Sequence, residues 1–148
     1  MKKIAEPPKM VLKKPAGFRY DRREIGWEIV SDVGEIVGEP VLFLKSFLCE
    51  EEFINGDIML SRLAKMGSCA GQMHAEYVIY HSELIPVQWQ DYRLIFAGTI
   101  WQCKENGQLH IPFMFFEDNY KWRLEFDPLD TFWGYGEDGV LDMVVFFD

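Results

Sequence analysis

The 148-residue chain predicts an α+β fold, an antiparallel meander of four or more strands with one long kinked helix, about residues 56–84, packed across it. Three observations lead there. Met59, Leu63, Met66, Ala70, Met73, Tyr77, Tyr80 and Leu84 follow one another at spacings of four and three, which is a helical stripe. Beyond Tyr92 the apolar runs become short and rich in β-branched and aromatic side chains, as strands require. Between two of those runs stands Asn106-Gly107, whose ease in left-handed backbone favours a tight hairpin.

The length suits a single domain, 1–148, with enough apolar and aromatic residues for a real core. Charge divides it. Residues 1–23 carry eight bases and two acids, a net +6, whereas residues 24–148 carry seven bases and 22 acids, a net −15. A basic, proline-containing arm thus precedes an acidic globular body. Pro7, Pro8 and Pro15 keep the arm out of helix. Phosphate would be repelled by the body, so no specific nucleic-acid binding is expected. The arm is read instead as lying on its own acidic body or on a partner copy.

Residues 25–48 alternate apolar runs with Gly34, Gly38 and Pro40 and favour short strands. Asn55-Gly56-Asp57 supplies a turn, an N-cap and a first-turn carboxylate for the helix. Pro86 ends it near Leu84. Gly67 and Gly71 each cost about 1 kcal/mol against alanine, yet the stripe keeps its phase across them, which predicts one kinked rod rather than two helices. Ala64, Gly71, Val78 and Ile85 flank the stripe and widen its apolar arc, making the C-terminal half the more buried. Strands are then expected at 92–103, 109–116, 120–126 and 140–147, with a glycine-rich aromatic loop at 129–139.

Fragments that resemble catalytic signatures fail on context. Gly67-Ser68-Cys69-Ala70-Gly71 has the spacing of a nucleophile elbow but follows helical rather than strand residues. His74-Ala75-Glu76 matches the H-x-E of zinc deaminases without their paired cysteines. On one helix His74 and His81 would stand roughly 10 Å apart along the axis, too far to share a metal. The acidic pairs, such as Glu137-Asp138, do not follow a calcium-loop spacing. No phosphate-binding or dinucleotide fingerprint is present. No cofactor or metal is therefore expected, and the balance leans away from an enzyme. Cys49, Cys69 and Cys103 are odd in number and scattered, which fits reduced thiols in a cytoplasm. No apolar run is long enough for a membrane span.

The functional expectation is a noncatalytic binding or interaction protein. Its contact residues would be Phe132, Trp133 and Tyr135 in the aromatic loop, together with the apolar strand 140–147 at a sheet edge, which would pair with a second copy to give a homodimer. The alternative is an enzyme or carrier for a small apolar ligand, held between helix and sheet by Met66, Met73, Tyr77, Trp101 and Phe113.

Gly56, Met59-Leu60, Arg62, Gly71-Gln72, Ala75-Glu76, Ile85-Pro86, Trp89, Tyr92, Leu94-Ile95-Phe96-Ala97-Gly98-Thr99-Ile100-Trp101, Gly107, Ile111-Pro112, Trp122, Trp133 and Val140-Leu141 together resemble a group of small prokaryotic proteins of unknown function. Some of these are encoded on mobile, integron-type gene cassettes. The chain departs from the group at Ala97, where the group has proline. The resemblance implies a bacterial cytoplasmic protein and implies no activity.

Overall fold

The computed structural model describes residues 18–148, so most of the basic arm, with its three prolines, lies outside the described residues. The strands are β1 (Trp27–Asp32), β2 (Leu42–Lys45), β3 (Phe53–Asn55), β4 (Tyr92–Ile95), β5 (Thr99–Cys103), β6 (Leu109–Phe116), β7 (Trp122–Pro128), β8 (Phe132–Gly134) and β9 (Leu141–Phe147). Two short helices, α1 (Gly56–Leu63) and α2 (Gln72–Tyr80), stand between β3 and β4. Seven strands form one curled sheet in the order β1-β5-β6-β4-β9-β2, with β7 on the other edge of β6, while β3 and β8 make a separate ribbon.

This corrects the expected architecture in three respects. The sheet is mixed, because β4 and β9 run parallel, from Tyr92 opposite Leu141 to Ile95 opposite Val144. The strand expected at 92–103 is two strands laid end to end along β6, broken at Phe96-Ala97-Gly98. Most consequentially, the long kinked helix does not exist: residues between Leu63 and Gln72 leave helical geometry and join the sheet.

The physical reason lies in the backbone of residues 67–71. Gly67 takes φ +147°, a conformation closed to other residues, and releases the chain from α1. The Ala70 N–H then donates to Val145 O at 2.8 Å, and the Phe147 N–H donates to Ser68 O at 3.0 Å. These bonds lie on the edge of β9 that β4 vacates after Val144. On its other side the link meets the break in the long strand, where the Gly98 N–H donates to Ala70 O at 2.9 Å. A Cβ at position 98 would stand 2.4 Å from Cys69 O, so this approach of two backbones requires glycine. Val33 N–H completes the junction by donating to Gly98 O at 2.8 Å.

Each helix is specified locally. Asn55 Oδ1 accepts the Ile58 N–H at 2.9 Å and caps α1, which buries Met59 and Leu63. At the start of α2 the Gln72 N–H donates to Thr99 Oγ1 (2.7 Å) and the Gly71 N–H donates to His74 Nδ1 (3.0 Å). Residues 72–78 are all buried, so α2 is enclosed on every side. It ends at Tyr80, and two 3₁₀ turns, Ser82–Leu84 and Val87–Asp91, lead into β4.

The two helices cover opposite faces of the sheet. Ile95, Ile111, Phe113, Val144 and Phe146 pack with Met59 and Leu63 of α1 and with Trp133 of the ribbon. Their strand neighbours Leu94, Met114 and Val145 pack instead with Ala75 and Val78 of α2. With both faces covered, the central strands need apolar side chains at consecutive positions, which is why β6 and β9 lack a polar alternation. It follows that β9 is internal, flanked by β4 and β2. The expectation that 140–147 forms an edge open to a second copy is corrected accordingly. No helix among the described residues is long and apolar enough to cross a membrane.

Two predictions follow from this packing. Gly98→Ala should lower unfolding stability by about 2–3 kcal/mol, because the new methyl meets backbone that cannot yield, whereas Ser61→Ala on exposed α1 surface should be near neutral; urea titration measures both. Burial holds His74 below the ordinary histidine range, at about 4. The unfolded chain therefore binds more protons between about pH 6.5 and 4, and stability falls as pH falls through that window, by on the order of 3 kcal/mol. His74→Asn retains a hydrogen-bond acceptor but does not titrate, and should flatten this part of the stability profile.

Candidate functional site

Alternation within three residues divides the aromatic loop. In β8, paired antiparallel with β3, Trp133 faces inward and is fully buried, while Phe132 faces outward and is 69% exposed. The Trp133 indole N–H donates to Leu129 O at 3.0 Å, which gives the buried ring its polar partner. On β3 the same pleat turns Ile54 inward and Phe53 outward. Phe53 and Phe132 meet edge to face, with ring centroids 4.9 Å apart, so the ribbon presents a paired aromatic surface to solvent. Tyr135 follows: its N–H donates to Glu52 O at 2.9 Å, and its half-exposed side chain lines a notch together with Phe132.

Beyond Tyr135 the chain turns tightly. The Gly139 N–H donates to Gly136 O and the Gly136 N–H donates to Val140 O, both at 2.9 Å, which lifts Glu137 and Asp138 onto the rim. Asp138 Oδ1 accepts the Val140 N–H at 3.0 Å. Below, buried Asp142 accepts the Gly134 N–H at 2.9 Å and stands 2.9 Å from Arg93 Nε. Arg93 also pairs with Asp127 at 2.8 Å and lies over the Phe113 ring, 4.1 Å from its centroid. Burial raises the pKa of Asp142 and the Arg93 charge opposes that shift. Arg93, Phe132, Tyr135, Glu137, Asp138 and Asp142 line an open notch of about 420 Å³.

Phe132 and Tyr135 are thus at the surface, whereas Trp133 supports the ribbon from beneath. Phe53, Arg93 and Asp142 join the site from distant positions, and sequence reading missed them. Phe53 carried a weak signal as an aromatic directly after the acidic run Glu50-Glu51-Glu52. Arg93 and Asp142 carried none, since only the parallel pairing of β4 with β9 sets them side by side.

A larger cleft of about 650 Å³ lies between the start of α1 and the β5–β6 turn, lined by Asn55, Asp57, Asn106, Gln108 and Asp130. Two of its side-chain oxygens are already engaged locally, Asn55 Oδ1 with Ile58 N–H and Asn106 Oδ1 with Gln108 N–H. It also lacks exposed aromatic surface, and the smaller notch is the better candidate.

The five residues expected to line an apolar pocket are distributed through the core. Phe113 and half-buried Met66 belong to the α1 side. Met73 and Tyr77 pack with Ile36 and Phe18. Trp101 is fully buried, donates its indole N–H to Gln72 Oε1 at 2.7 Å and meets Phe18 edge to face. The two cavities described lie elsewhere. His74 and Glu76 are also accounted for structurally. Glu76 accepts the Arg19 and Tyr20 N–H groups at 2.9 and 3.0 Å and the Gln72 side-chain amide at 3.0 Å, fastening the end of the basic arm to α2. Among the described residues no group of three or more His, Cys, Asp or Glu is placed to hold a metal ion.

The divided loop makes a direct prediction. Trp133→Ala should cost about 3–5 kcal/mol, as for other buried aromatic truncations, while Phe132→Ala should cost less than about 1 kcal/mol; thermal or urea unfolding separates them. No protein-family model, no curated protein and no solved structure matches the chain.

Proposed function

We propose that this chain is a noncatalytic binding protein whose contact surface is the aromatic ribbon and the notch beside it. The observation that carries this reading is the exposed Phe53–Phe132 pair, on the outward face of a ribbon whose inward face carries buried Trp133, with Phe132 and half-exposed Tyr135 lining the same notch. Large aromatics that do not fold inward supply contact area at low entropic cost, which is what recognition surfaces use. Their support is preorganised by backbone pairing between β3 and β8, so little order has to be created on binding.

The partner is a macromolecule rather than an enclosed small molecule, because the notch is open and shares its rim with the flat aromatic pair. A second copy of this chain is one such partner. A cytoplasm fits as the setting, with Cys49, Cys69 and Cys103 all free.

The test is affinity capture with the wild-type chain and with Phe132→Ser plus Tyr135→Ser. Both changes lie on exposed side chains and should leave the melting temperature nearly unchanged. A partner retained by the wild type and lost by the double variant is the expected result. Equal capture by both would overturn the reading.

A further inference from the structure

The notch has two walls of different chemistry. Phe132 and Tyr135, 69% and 51% exposed, form one. The turn carrying Glu137 and Asp138 forms the other. Arg93 lies at the floor between two carboxylates, its Nη2 donating to Asp127 at 2.8 Å and its Nε 2.9 Å from Asp142 Oδ1 as an ion pair without hydrogen-bond geometry, with its guanidinium over the Phe113 ring. With Asp142 matched by Arg93, the charge still facing the cavity is that of Glu137 and Asp138, so the notch is net negative and half aromatic.

Resting on the binding role proposed above, we infer that this notch takes arginine or lysine side chains from an extended basic segment of a partner protein. A guanidinium over Phe132 or Tyr135 gains from the negative face of the ring, and its remaining N–H groups reach carboxylate oxygens on the turn. Asp138 uses only Oδ1 for the Val140 N–H, which leaves its second oxygen for the ligand. The chain displays this same chemistry in filled form within the site, where Arg93 lies on an aromatic ring between two carboxylates.

Other occupants fit less well. An anion would meet a floor guanidinium flanked by the carboxylates of Asp127 and Asp142 and would approach a body of net charge −15. An uncharged apolar segment would cover Glu137 and Asp138 without giving them partners, at a desolvation cost. A basic segment is instead drawn in by the field of the whole body. Arginine should exceed lysine, because its planar fork both stacks and pairs with carboxylates.

The experiment is calorimetric titration of the full chain with a capped hexapeptide of alternating glycine and arginine, beside the same peptide with glutamate for arginine. The arginine peptide should bind and the glutamate peptide should not. Glu137→Gln plus Asp138→Asn should weaken the arginine peptide roughly tenfold or more, the scale of one charge-assisted hydrogen bond. Phe132→Ser plus Tyr135→Ser should weaken it by a similar factor. No binding of the arginine peptide, equal binding of both peptides, or unchanged affinity in the carboxamide variant would each overturn the inference. If the arginine peptide fails while the serine variant still loses its captured partner, the contact surface stands and its cationic ligand falls. If the serine variant captures as the wild type does, both fall.

Discussion

The structure depends on a few hydrogen bonds through which residues 68–70 take over the edge of β9 that β4 gives up. Without them only β6 would join the two branches of the sheet. β4 and β5 lie end to end on β6, but β5 leads outward to β1 and β4 leads outward to β9 and β2, leaving an open angle between the two branches. The link fills that angle with backbone, satisfying Val145 O and the Phe147 and Gly98 N–H groups. It also carries the chain from α1 to α2 on opposite sheet faces, which is why the core has two halves.

That arrangement explains what could be read from the sequence. Asn106-Gly107 forms its turn as expected of a local signal, with Gly107 at φ +74° and its N–H bonded to Cys103 O at 2.7 Å. The heptad-like stripe misled for a physical reason. Met59 and Leu63 are buried by α1, Met73 and Tyr77 by α2, and Ala70 by an extended segment, and these separate causes share one spacing. Periodicity records which residues are buried, not whether a single rod buries them. The glycines at 67, 71 and 98 held the missing information, but two of them act through each other's surroundings and no local rule joins positions that far apart. At the site, aromatic content marked the loop, whereas the inward turn of Trp133 required knowing that Phe53–Asn55 pairs with it.

The site rests on charges that serve structure. Arg93, Asp127 and Asp142 gather where β4, β7 and β9 bring their ends together, and the Gly134 N–H fastens β8 to the same carboxylate. A partly buried ion pair is weak as a source of stability, because desolvation offsets much of its attraction, but it constrains the groups that form it. Here Asp142 ties the ribbon to the start of β9 beside Arg93, through the Gly134 N–H. The polar groups at Glu76 play the corresponding part at the other end of the molecule, where a carboxylate rather than apolar packing fixes residues 19 and 20.

The parallel seating of β9 between β4 and β2 has a kinetic meaning. Before residues 141–147 arrive, β2 has no strand partner, β4 has one open edge and the link at 68–70 has no ladder to join. The contacts that unite the sheet therefore span much of the chain, and their loop-closure entropy must be met before they return any stability. During synthesis the growing chain holds apolar strands with nothing between them, a state prone to pairing with neighbours. The strand that seats both β2 and the link is thus the last of the sheet's strands to be made, and the earlier strands must wait for it.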